Sequence, residues 1–248
     1  MNFLKNVRIL SGNALKIIAA ICMVIDHVGF IFFPQMMWLR IIGRIAMPIF
    51  AFTLAEGCRY TKNKVKHFCL LFGLGAICQV VYYVFAKDTY LNILLTFSLA
   101  TLVLYAMRHF KKCLFDENTP STETVFFGLV FIATIFGTYL ICQNFTVDYG
   151  FWGCMLPAFA GIFDFHRIPA PAELKKIDIL PVRVCSFAVG IWAFCAFTVT
   201  PMPTAYMFLA LPFLFLYNGE KGKWNMKYFF YLFYPLHLAA LQGLSMIL

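Results

Sequence analysis

Charge is scarce in this chain, and its scarcity excludes most soluble architectures. Only 12% of the 248 residues are Asp, Glu, Lys or Arg, against 62% that are hydrophobic. A soluble domain carries about 25% charged and about 45–50% apolar residues. Acids are the rarest part, 11 against 20 Lys and Arg. Cysteines at metal or redox spacing are also missing. Cys22, Cys58, Cys69, Cys78, Cys113, Cys142, Cys154, Cys185 and Cys195 form no CxxC. They read as small hydrophobes within helices. No metal-ligand spacing occurs, so no metal is expected. No low-complexity linker and no evident internal repeat divides the sequence, which argues for a single transmembrane domain over residues 1–248.

What the chain has instead is long apolar runs. Its mean hydropathy is +0.81, and 30 residues are Phe. A helix needs roughly 20 apolar residues to cross a hydrocarbon core of about 30 Å. Nine runs qualify or nearly so: 14–33, 38–57, 67–86, 92–107, 124–143, 149–165, 182–200, 203–217 and 228–247. The fold class expected is all-α, a polytopic transmembrane helical bundle of about nine spans. The first run is too long for the apolar core of a signal peptide and reads as a retained signal anchor. Pro201, Pro203 and Pro212 interrupt the eighth.

Lys and Arg give an independent test. With the N-terminus in the cytoplasm, seventeen of the 20 fall on cytoplasmic segments: Lys5, Arg8, Lys16; Arg59, Lys62, Lys64, Lys66; Arg108, Lys111, Lys112; Arg167, Lys175, Lys176, Arg183; Lys221, Lys223, Lys227. Only Lys87 falls outside. Basic loops are retained in the cytoplasm, so the sequence implies an odd number of crossings of the cytoplasmic (plasma) membrane, N-terminus inside and C-terminus outside. The net charge of +9 therefore belongs to topology and to the lipid bilayer. No basic stripe interleaved with aromatics points to nucleic acid.

The remaining ionisable residues stand inside the spans, where each costs at least about 2.5–3.5 kcal/mol to insert. The first span holds Asp26 and His27, and the second holds Arg40 and Arg44. Spacing of four puts both arginines on one helical face. All four lie in the outer half of the layer. Asn92 and Thr96 open the fourth span at a similar level, Asp148 and Tyr149 open the sixth, and His237 sits in the last. Their shared depth predicts one polar pocket. Neighbouring helical side chains diverge by about 100°. Asp26 is thus expected to pair with Arg40 or Arg44 while His27 faces the cavity. The small residues Ala19, Cys22 and Gly29 let a helix approach the Asp26 face. Pro48 removes a hydrogen bond from the Arg44 carbonyl, which implies a free acceptor or a kink beside the site. Glu56 and Arg59 read as an interface pair.

Leu15-Lys16-Ile17-Ile18-Ala19 leading to Ile25-Asp26-His27-Val28-Gly29 resembles the opening of the TraX family. So do residues Leu39-Arg40-Ile41-Ile42-Gly43-Arg44-Ile45-Ala46-Met47-Pro48, with Glu56-Gly57 and Thr61 after them. Asp148-Tyr149-Gly150 and Phe233-Tyr234-Pro235-Leu236-His237-Leu238 are similar too. TraX is named for acetylation of a conjugative pilin. The family resembles, distantly, the membrane acyltransferases of the acyltransferase type three and heparan glucosaminide N-acetyltransferase groups.

The resemblance implies a membrane-embedded acetyl- or acyltransferase. Acetyl-CoA on the cytoplasmic side would supply the acyl group to an unknown acceptor hydroxyl or amine at the outer face. His27 matches the first-helix histidine of those groups, and Arg40 and Arg44 match their arginine pair. An imidazole titrates near neutral pH, which suits a general base. Arg44 would stabilise oxyanion charge with Asp26 as its partner, and His237 would be a second acid or base. Arg40, Asn92, Thr96, Asp148 and Tyr149 would bind substrate. Arg59 and Lys62, in a basic loop with Lys64 and Lys66, would meet the nucleotide end of CoA. The alternative is a transporter or lipid-handling protein with a buried polar relay.

Overall fold

The computed structural model describes residues 8–87, 89–198, 204–224 and 226–245. Lys5, Pro201 and Pro203 lie outside the described residues. The described chain is helical, and its only extended pairings are isolated bridges between Leu10 and Tyr217 and between Leu91 and Val147. The helices are α1 (Gly12–Ile31), α2 (Met37–Gly43), α3 (Ala46–Tyr60), α4 (Lys64–Ala86), α5 (Ile93–Phe115) and α6 (Ser121–Asn144). They continue with α7 (Gly150–Gly161), α8 (Ala172–Ile177), α9 (Leu180–Phe197), a 3-10 turn (Thr204–Ala210), α10 (Leu211–Phe215) and α11 (Lys227–Ser245).

Among the described residues, 6 segments are long and apolar enough to cross a membrane: 12–31, 37–60, 64–84, 93–115, 121–144 and 180–197. The protein is therefore a membrane protein by length and composition. The second segment breaks into α2 and α3 at Arg44 and Ile45, where Pro48 cannot donate to the Arg44 carbonyl. Polar caps start several helices. Ser11 Oγ accepts from Ala14 N, Asn63 Oδ1 from Lys66 N, and Asn92 Oδ1 from Leu94 N.

The chain forms two compact units, 1–53 with 199–248 and 54–198. In the first unit, α1 and α2 make a tight hairpin, and α11 packs on α1. Gly29 and Gly43 set its closeness. A Cβ on Gly29 would lie 2.6 Å from Leu39 Cβ, and one on Gly43 only 2.1 Å from Asp26 Oδ1. Leu15, Ala19, Ile49 and Phe52 are fully buried beneath. The loop before α11 is tied to the start of α1, with Asn13 Nδ2 donating to the Trp224 carbonyl at 2.7 Å.

In the second unit α5 is central, packing on α4, α6 and α7, while α9 packs on α7. The most apolar stretch of α6 is only 6% buried against 56% for α5, so α6 is peripheral. The run expected over 149–165 is a helix of only 12 residues, Gly150–Gly161. It runs beside α5. Thr96 Oγ1 donates to the Asp148 carbonyl at one end (2.8 Å), and Arg108 pairs with Asp164 at the other. Thr96 to Arg108 is about 18 Å of helix, so short α7 covers that same depth. Lys111 Nζ closes its C-terminus by donating to the carbonyls of Gly161, Ile162 and Asp164. The run expected over 203–217 is the 3-10 turn and α10, with Pro212 starting the latter.

Candidate active site

Asp26 and His27 are consecutive on α1, so they face different neighbours. Asp26 turns to α2, where Arg40 Nη1 meets Oδ2 at 2.8 Å and Arg44 Nη2 stands 3.6 Å from Oδ1. Arg40 also donates to the Asp26 carbonyl at 3.1 Å, and its guanidinium covers the Phe30 ring at 5.1 Å. The two arginines are therefore not equivalent. Arg40 is committed to Asp26. Arg44 is held at a distance too long for a hydrogen bond, and its buried Nε has no partner among the described residues.

His27 turns to α11 and meets His237, ring centroids 5.0 Å apart and planes at 74°. Each imidazole bonds the carbonyl one helical turn before it. The His27 Nδ1 to Met23 O distance is 2.7 Å, and the His237 Nδ1 to Phe233 O distance is 2.9 Å. A carbonyl only accepts, so Nδ1 carries the hydrogen in both rings and Nε2 keeps its lone pair. His237 is buried, stacked on Phe233 at 5.1 Å, and its Nε2 has no partner among the described residues. His27 is half-buried. Asp26, His27, Arg40, Arg44 and His237 thus all lie within the first unit, offering two imidazoles in edge-to-face contact and one guanidinium that is ion-paired but not hydrogen-bonded.

Asn92, Thr96, Asp148 and Tyr149 find partners in the second unit. Asn92 Nδ2 donates to the Gly75 carbonyl at 2.9 Å and to Gln79 Oε1 at 3.1 Å. Tyr90 donates its hydroxyl to Asp148 Oδ1 at 2.7 Å. Burial and that carboxylate raise the Tyr90 phenol above its ordinary range. Tyr149 holds a left-handed backbone, φ 60°, just before α7.

At the other end of the second unit lies a buried ion network. Arg59 Nη1 reaches Asp178 at 2.6 Å and Asp164 at 3.1 Å, Arg108 pairs with Asp164, and Arg183 pairs with Glu56 and approaches Asp178 at 3.5 Å. Glu56 and Arg59 therefore do not pair with each other as their spacing suggested. One turn apart on α3, each finds a partner on a distant segment. Asp178 also accepts from Phe165 N, and Asp164 from His166 N. Burial first, then Arg59, Arg167 and Arg108, push the His166 imidazole below its ordinary value. Beside the network is a cavity of about 290 Å³ with Arg59, Lys62, Lys64, Arg108, Lys112 and Arg167 in its wall. Lys66 does not line it.

A family model described as TraX protein matches residues 11–245. The chain belongs to the TraX family. It is 30% identical over 261 residues to the probable fimbrial assembly protein FimC, serogroup H1, of Dichelobacter nodosus, covering 96% of this chain and 97% of that one. It is 35% identical over 98 residues to the uncharacterized protein RP591 of Rickettsia prowazekii, covering 39% of this chain and 38% of that one. It is 34% identical over 94 residues to protein TraX of Escherichia coli, covering 37% of this chain and 38% of that one. No solved structure matches it.

In this TraX-family chain the residues that escaped the sequence reading are Asp164, Asp178, Arg108 and Arg183. The cations were absorbed into the topology argument. The acids sit in the connections on either side of α8, 56 residues from Arg108 and 119 from Arg59. A signal was present all the same: Asp164 stands between Phe163 and Phe165, and Asp178 between Ile177 and Ile179. A lone acid framed by large apolar residues is more at home buried with a cation than in water.

Proposed function

We propose that this chain is a membrane-embedded acetyl- or short-acyltransferase that carries an acetyl group from cytoplasmic acetyl-CoA to an acceptor at the outer face. The observation that carries the reading is the contact between His27 Nδ1 and the Met23 carbonyl. The imidazole's Nδ1–H is spent on that carbonyl at 2.7 Å, which aims a basic Nε2 out of α1. Nε2 takes the proton from the acceptor hydroxyl or amine. The freed lone pair attacks the thioester carbonyl, and Arg44, ion-paired with Asp26 but not hydrogen-bonded to it, receives the developing oxyanion. Collapse expels the CoA thiolate, which regains a proton from the imidazolium. His237, in ring contact with His27, shares that proton. Asp26 and Arg40 hold the face that presents Arg44.

In this reading the chain crosses the cytoplasmic membrane nine times with its N-terminus inside. α7, the 204–215 segment and α11 supply the crossings beyond the six long ones. The depth that α7 shares with α5 supports its inclusion. A nearly full-length relative named for fimbrial assembly favours an amine on a surface-filament subunit as acceptor.

The test is transfer from radiolabelled acetyl-CoA by purified protein in nanodiscs, with filament-subunit peptides as acceptors. The expected result is acetyl-CoA-dependent labelling that falls about 100-fold or more in His27→Ala, the ordinary worth of a general base. Acetyl-CoA that neither binds nor stabilises the protein would end the enzyme reading. Solute crossing the bilayer unmodified would establish transport instead.

A further inference from the structure

We infer that the basic cavity of the second unit is a binding site for the phosphorylated end of a larger ligand, one bearing two or more clustered phosphates. Six cations, Arg59, Lys62, Lys64, Arg108, Lys112 and Arg167, line about 290 Å³. They come from four separate segments: the end of α3, the loop and first residue of α4, the last turns of α5 and the loop after α7. Only two of them have counter-charges. Arg59 and Arg108 are held by Asp164 and Asp178. Among the described residues no carboxylate lies within ion-pair distance of Lys62, Lys64, Lys112 or Arg167. Topology alone asks only that such charges stay on one side, and mutual repulsion would spread them over the surface. Convergence around a concavity is the arrangement that recruits an anion.

The network makes the two deepest cations rigid without exhausting them. Arg59 spends Nη1 on both carboxylates, and its buried Nε has no partner. A guanidinium fixed from one side with donors to spare is preorganised for phosphate. Arg167 adds a second sign. It holds φ 58°, a left-handed conformation that a residue with a Cβ adopts rarely and that gathers at ligand sites. Size sets the ligand. The cavity is at the low edge of the roughly 300–1,000 Å³ of small-molecule sites, which is space for about ten waters at about 30 Å³ each. It takes phosphates and part of a sugar, and the rest of the ligand lies outside. A nucleotide thioester such as the acyl donor carries such an end, and so does an anionic lipid headgroup. The cavity argument is independent of the acyltransfer reading; only the choice of the donor as the source rests on it.

The experiment is titration calorimetry on the full chain in zwitterionic nanodiscs with adenosine 3′,5′-bisphosphate, with AMP and inorganic pyrophosphate as comparisons. A second arm dopes the discs with cardiolipin. The variant is Lys112→Ala/Arg167→Ala. Both side chains are exposed and free of ion pairs, so unfolding temperature should match the parent. The bisphosphate should bind, compete with pyrophosphate, exceed AMP by tenfold or more, weaken with salt and lose at least tenfold in the variant. Saturable cardiolipin binding lost in the variant, with no nucleotide binding, supports the phosphate site and assigns it to lipid. Binding of neither, or binding indifferent to the variant, overturns it. Bisphosphate binding in a preparation that transfers no acetyl group sinks the acyltransfer reading and leaves this one standing.

Discussion

Asp26→Asn removes the carboxylate that both α2 arginines approach, and the geometry says how the loss divides. At 2.8 Å and an effective dielectric of about 20, attraction to Arg40 is about 6 kcal/mol; at 3.6 Å, attraction to Arg44 is about 5 kcal/mol. Desolvation cancels most of both. The remainder depends on hydrogen bonding, which Arg40 achieves and Arg44 does not. Removing one partner of a buried pair costs about 3–5 kcal/mol. These groups are 11–18% exposed, which places Asp26→Asn near the lower end, about 3 kcal/mol. Arg40→Gln should cost nearly as much. The double variant should cost no more than either single one, a coupling of about 3 kcal/mol, whereas Asp26 and Arg44 should couple by about 1 kcal/mol. Unfolding in mixed micelles of increasing sodium dodecyl sulfate gives all of these values. Additive Asp26 and Arg40 effects, within about 0.5 kcal/mol, would refute the reasoning, as would a larger coupling for Arg44.

Gly43→Ala places a Cβ 2.1 Å from Asp26 Oδ1; it should lower stability by about 1–3 kcal/mol and acetyl transfer with it. Gly57→Ala, with nothing within 4 Å, should change unfolding by less than about 0.5 kcal/mol. Asp178→Asn strips charge from Arg59 and Arg183 and should cost about 3 kcal/mol in the same titration. His166 sits below its ordinary value of 6.5, so the unfolded chain protonates first as pH falls. Its contribution is present above 6.5 and lost below it, so unfolding free energy measured from pH 7.5 to 5.5 should fall, and His166→Gln should flatten that slope.

The six long apolar helices were legible from hydropathy, which needs only runs of about 20 apolar residues, and the break between α2 and α3 from Pro48. α7 was legible as an apolar run but not in length. Its ends are met by Thr96 at one side and by Arg108 and Lys111 at the other, all reaching across from α5, and no local pattern records that. The pairing of Asp26 with α2 followed from four-residue spacing and a small-residue face. The contact of His27 with His237 rested on depth alone. The ion network was hidden because its acids and bases are separated by up to 127 residues. The cavity was half-visible: Arg59, Lys62 and Lys64 share one loop, while Arg108, Lys112 and Arg167 join them only through the packing of α5 and the loop after α7.

Chemical rescue addresses the base most directly. A His27→Ala chain leaves an imidazole-sized gap beside His237, so free imidazole added to that variant should restore a measurable part of acetyl transfer in proportion to its unprotonated fraction. Full transfer by His27→Ala without any imidazole would contradict the role given to Nε2.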